Sequence, residues 1–134
     1  MFKKDYLLRL IEEAIRLMAK AVNLIDDNDL EQAEKQIAKT YELLKANPQW
    51  NNLSIIELIK TIENAELDDH RMEIVADLFQ VEAQLKEAEQ KDNEANQLLI
   101  KALAIYEYVD KTSTTYSFER VAKIDKLNYH LNQE

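Results

Sequence analysis

Apolar side chains fill most of residues 7–25: Leu7, Leu8, Leu10, Ile11, Ala14, Ile15, Leu17, Met18, Ala21, Val22, Leu24 and Ile25. Arg9, Glu12, Glu13, Arg16 and Lys20 interrupt them three or four residues apart, which collects the polar positions on one stripe of a helix. The interruptions leave no unbroken apolar run of the kind a secretory signal or a membrane span needs. A folded helix is therefore expected here, not a signal or an anchor. Its apolar arc is wider than one neighbouring helix fills. That predicts an inner helix with the second helix on one flank and the fourth or sixth on the other, the sixth being long enough to cover it.

The pattern then changes. "DDND" (26–29) reads as a turn and N-cap, and residues 30–46 carry a narrower stripe of Leu30, Ala33, Ile37, Tyr41 and Leu44. Asn47-Pro48 ends that outer helix, because the residue before proline is pushed out of the helical region. "SIIE" (54–57) has the Ser-x-x-Glu capping pattern and opens a short third helix through about residue 64. A fourth helix is expected from about residue 69 to 90, with Met72, Val75, Leu78, Phe79 and Leu85 inward. The fifth, about 93–110, has little polar face and reads as a second buried helix. After "TSTTYS" (112–117), a sixth turns Phe118, Val121, Ile124, Leu127 and Leu131 inward.

Composition supports an all-α reading. The 134 residues include no Gly, no Cys and one Pro. Without glycine the phosphate-cradling loops and the tight hairpins of sheet proteins lose their usual residue. Without cysteine there are no disulfides, thiol nucleophiles or thiolate zinc sites. The net charge is −9, and residues 26–110 hold twenty acidic against eight basic side chains. Such a surface disfavours nucleic acid and anionic membranes as partners.

"LEQAEKQIAKTYELL" and "NEANQLLIKALAIYE" share a small–large–small spacing at one offset: Ala33/Ala95, Ile37/Leu99 and Thr40/Ala102. Small residues at fixed points let paired helices approach closely, and stacked hairpins bury faces that neither buries alone. The repeat resembles the tetratricopeptide helix–turn–helix, although the usual Trp, Gly and closing Pro are missing. "FKKDYLLRLIEE" and "TYSFERVAKIDKL" resemble an uncharacterised family of small bacterial tetratricopeptide-like proteins. That resemblance implies the same fold and a cytoplasmic bacterial protein, and it implies no catalytic site.

Candidate chemistry is sparse. Glu66 and His70 stand four apart, but a di-metal bundle needs Glu-x-x-His helices in pairs, and His130 has Leu127 where its Glu would be. "DDNDLEQAEKQI" lacks the glycine and closing Glu of a calcium loop. Carboxylates are many, yet nearly all fall on stripes read as solvated, where nothing tunes them for acid–base work.

These observations predict one all-α domain spanning residues 1–134. Six helices form a tetratricopeptide-like stack, with helices 1–2 and 4–5 as hairpins, helix 3 as an insert and helix 6 as a C-terminal cap. The expected function is a non-enzymatic protein–protein interaction module, without cofactor or metal, taking a protein or peptide in a groove lined by helices 1 and 4. Tyr6, Arg9, Glu13, Arg16, Trp50 and Tyr108 are the residues expected to meet that partner; Trp50 does so only if it is exposed and is not plugging the space between hairpins. The alternative is self-assembly, with helix 1 as a homodimer interface.

Overall fold

The computed structural model describes residues 2–133, and six α-helices with one 3-10 turn account for the secondary structure among them. Helix α1 runs Phe2–Asp26 and α2 runs Leu30–Leu44. Between them Asn28 takes a left-handed conformation, and the Asp29 carboxylate accepts the Gln32 N–H to cap α2. Ala14, Ala21 and Ala33 are fully buried, which lets the two helices close on each other. Helix α2 stops earlier than expected. Lys45 turns left-handed (φ 58°) and the Ala46 N–H bonds back to the Tyr41 carbonyl, so the turn is made before Pro48 is reached.

Pro48–Asn52 forms the 3-10 turn, capped by the Asn47 side chain, and carries Trp50 into the core. Helix α3 (Ile55–Asn64) opens on Ser54 as its N-cap, with Glu57 as the side chain it pairs with. The Ser54 hydroxyl accepts the Glu57 N–H at 3.2 Å and donates to the Glu57 carboxylate at 2.9 Å. Helix α4 (Asp69–Ala88) starts on Asp68, whose carboxylate accepts the Arg71 N–H. Helices α5 (Asp92–Thr112) and α6 (Phe118–Leu131) complete the chain.

Packing follows the chain in two hairpins, α1 with α2 and α4 with α5. Helix α4 lies against both helices of the first hairpin as well as against α5, so it is the central helix of an all-helical stack. Ala33 and Ala95, Ile37 and Leu99, and Thr40 and Ala102 are all buried, the first of each pair on α2 and the second on α5. Buried residues from all six helices join in one core.

The neighbours of α1 are α2 on one flank and, of the two helices expected for the other, the fourth; α6 packs on α5. Contacts of its own hold α6 there: Leu127 is buried in the core, Arg120 reaches Asp110 of α5 and Glu73 of α4, and Lys123 reaches Asp77 of α4. Phe118 is not inward. It is 80% exposed and meets Tyr116 edge-to-face at 5.0 Å, while Leu127 supplies the buried apolar contact of α6.

Candidate functional site

Helix α1 buries Leu10, Ala14, Leu17, Met18 and Ala21 against its two neighbours. The rest of its wide apolar arc stays open. Leu8 is 49% exposed and Ile15 53%, with Ile11 and Val22 half-buried beside them and Ala19 exposed. Positions 8, 11, 15, 19 and 22 recur three or four residues apart, so they form one continuous strip along the helix. Next to it runs the polar stripe. Arg16 Nε donates to Glu13 at 3.1 Å and a second guanidinium nitrogen also reaches that carboxylate. The bond from Arg16 holds the Glu13 carboxyl below the ordinary carboxylate range.

Four of the expected partner residues, Tyr6, Arg9, Glu13 and Arg16, therefore share one outer face of α1, with Tyr6 and the two arginines exposed. Trp50 does not belong there. It is 8% exposed and packed in the core, which removes it as a partner anchor and leaves it as the plug beside the hairpins. Tyr108 is also elsewhere: half-buried on α5, its hydroxyl donates to Glu63 of α3 at 2.9 Å.

A second set of polar groups was hidden in the sequence. The Tyr41 hydroxyl donates to Glu82, and Asn51 Nδ2 donates to the other oxygen of the same carboxylate at 2.8 Å. Lys101 Nζ donates to the Asn51 carbonyl at 2.6 Å, closing a chain that joins α2, the 3-10 turn, α4 and α5. On the far side of α4 the Tyr106 hydroxyl donates to Asp77, which also accepts Lys123 Nζ at 3.0 Å, and Gln80 Nε2 donates to the Tyr106 oxygen at 2.9 Å. Buried Arg120 reaches Asp110 at 3.0 Å and Glu73 at 3.8 Å. Burial pushes the Tyr41 and Tyr106 hydroxyls and the Glu82 and Glu73 carboxyls up, and pushes the Lys101 amine down.

Each of these groups is occupied in joining one element to another. The signal that could have found them is the pair of tyrosines: a fully buried Tyr needs a partner for its hydroxyl, and α4 carries the acids to supply it. A cleft of about 340 Å³ opens beside Lys101, lined also by Asn51, Lys86, Asn93 and Gln97. His70 and Glu66 do not form a ligand pair on one helix, since Glu66 is left-handed (φ 55°) and precedes the start of α4. Among the described residues there is no cluster of three or more metal-ligating side chains, and no helix is long and apolar enough to cross a membrane. No protein-family profile, curated protein or solved structure matches the chain.

Proposed function

We propose that this chain is a non-enzymatic interaction module, an adaptor or scaffold of tetratricopeptide-like build, that binds protein through the outer face of α1. The observation that carries this reading is the strip of Leu8, Ile11, Ile15, Ala19 and Val22, left open by the fold beside an exposed polar stripe whose near edge is Glu12 and Arg16. An apolar strip with a charged rim has the layout of a protein interface: burial supplies affinity and the rim supplies register. The polar groups that could have served catalysis are instead held in bonds between helices. The acidic surplus over residues 26–110 supports a protein or peptide partner over nucleic acid or an anionic membrane.

Site-specific photo-crosslinking in cells tests the reading. A probe replacing Leu8 is expected to capture a discrete protein that a probe at exposed Glu57 of α3 does not, and Ile15→Glu should abolish that capture. Equal capture from both positions, or none from Leu8, would reject α1 as the docking surface.

A further inference from the structure

The spacing of the open strip carries the reading further. Ile15 stands at its centre, with Ile11 and Ala19 four residues to either side and Leu8 and Val22 seven to either side. The spacing therefore reads the same in both directions along the helix. We infer that the protein is a homodimer in which α1 of a second copy packs antiparallel on this strip, about a two-fold axis at Ile15. The inference rests on the reading of the α1 outer face as a docking surface and names its occupant.

A two-fold axis demands a self-complementary patch, so that residue i meets j and j meets i. Antiparallel pairing about Ile15 sets Ile15 against itself, Leu8 against Val22 and Ile11 against Ala19. Each outer pair joins a larger side chain to a smaller one. Ala19 leaves the recess that Ile11 fills. Steps of three, four, four and three residues also match the ridge-and-groove spacing of helices crossing at a shallow angle.

The charges obey the same symmetry. In a two-fold antiparallel pair the same flank of each helix faces its own copy. Glu12 lies three residues before the axis, while Arg16 and Lys20 lie one and five after it. Glu12 of one copy thus falls midway between Arg16 and Lys20 of the other, and the contact repeats on both sides of the axis. Neither Glu12 nor Lys20 has an ion-pair partner among the described residues of its own chain. A parallel two-fold pair would instead put this flank of each helix on opposite sides of the seam, where no copy of these charges faces it. The charges can meet their own copies only in the antiparallel sense.

The solution mass and a crosslinking set test this directly. Sedimentation across a micromolar concentration series should give the mass of two 15.7 kDa chains, and Ile15→Glu, at an exposed position, should give a folded monomer with unchanged helical circular dichroism. Because the chain has no cysteine, single replacements report the geometry cleanly. With a short bis-maleimide, Ile15→Cys should link to itself, and Leu8→Cys should link to Val22→Cys in a mixed sample but not to Leu8→Cys. Glu12→Lys should weaken the dimer roughly tenfold, as expected for like charges replacing exposed pairs on both sides of the axis, and Lys20→Glu in the same chain should restore it.

A monomeric wild type, a dimer indifferent to Ile15→Glu, or self-linking of Leu8→Cys would overturn the two-fold pairing. A monomer whose Leu8 probe still captures a different protein would reject the homodimer and leave the docking face standing. A monomer with no capture from α1 would reject both.

Discussion

Glu82 is a half-buried carboxylate that accepts both the Tyr41 hydroxyl and the Asn51 amide. Burial raises its carboxyl above the ordinary range, and those two bonds together with nearby Lys86 only partly oppose the shift. The native state therefore holds the proton to a higher pH than the unfolded chain does. Below the unfolded value, near 4.5, this group does not alter stability; as pH climbs through the raised native value, keeping the buried site ionised costs stability. Glu82→Gln removes that dependence. Urea midpoints measured between pH 4.5 and 7 should fall less for the variant than for the wild type, and parallel curves would show that Glu82 titrates as an exposed acid. Tyr41→Phe addresses the same bond from the other end. It strips the carboxylate of a donor and should cost about 1–3 kcal/mol in urea unfolding at pH 7. Ala95, buried on α5 as Ala33 is on α2, tests packing instead of polarity. Ala95→Leu should overpack the α4–α5 hairpin by about 1–3 kcal/mol, and an unchanged urea midpoint would contradict a tight contact there.

At the scale of elements, α6 is fastened as much by charge as by apolar contact. Of its residues only Arg120 and Leu127 are buried, and Arg120 reaches Glu73 of α4 and Asp110 of α5 while donating to the Thr115 carbonyl at 2.8 Å. Removing the guanidinium strands the Glu73 carboxylate, which is only 18% exposed, so Arg120→Ala should destabilise by about 3 kcal/mol. Hydrogen exchange should then show α6 losing protection before α4 and α5 do; uniform loss would mean that α6 is not a separable cap. The sequence shows why much of this was legible and some was not. Element boundaries were readable where a side chain performs a local task, as Ser54 does at α3 and Asp68 at α4. The hydrophobic stripes likewise gave the inward faces of α2 and α4. Phe118 misled because hydrophobic character at a helix start says nothing about whether a neighbour is present. Asp77 and Glu73 looked like members of a solvated stripe, since their partners Tyr106, Lys123 and Arg120 lie 29, 46 and 47 positions away along the chain. The open face of α1 was half legible: its width was plain, but which flank stayed uncovered depended on α6 being held to α4 and α5 by Arg120, Lys123 and Leu127.

For the whole molecule, the decisive quantity is a charge of −9 on a stack with a pI near 4.8. Acidic side chains outnumber basic ones most strongly over residues 26–110, the stretch that forms α2 through most of α5. Their mutual repulsion opposes compaction at neutral pH and is screened by salt, with a Debye length falling from about 30 Å at 0.01 M to about 8 Å at 0.15 M. Salt also weakens favourable pairs, so the sign of the net effect turns on where those pairs lie. Lys35–Glu31 and Arg16–Glu13 are exposed neighbours within single helices and contribute little to begin with. The pairs that join helices, Arg120 with Glu73 and Lys123 with Asp77, are buried or half-buried and are screened much less. Repulsion should therefore dominate the response. Urea is uncharged and leaves ionic strength as the free variable, so unfolding midpoints at pH 7 and fixed protein concentration should rise with added sodium chloride. The same series near pH 4.8, where the net charge vanishes, should be almost flat. A midpoint that falls with salt at pH 7 would mean that attractive pairs, and not the acidic surplus, set the electrostatic balance of this fold.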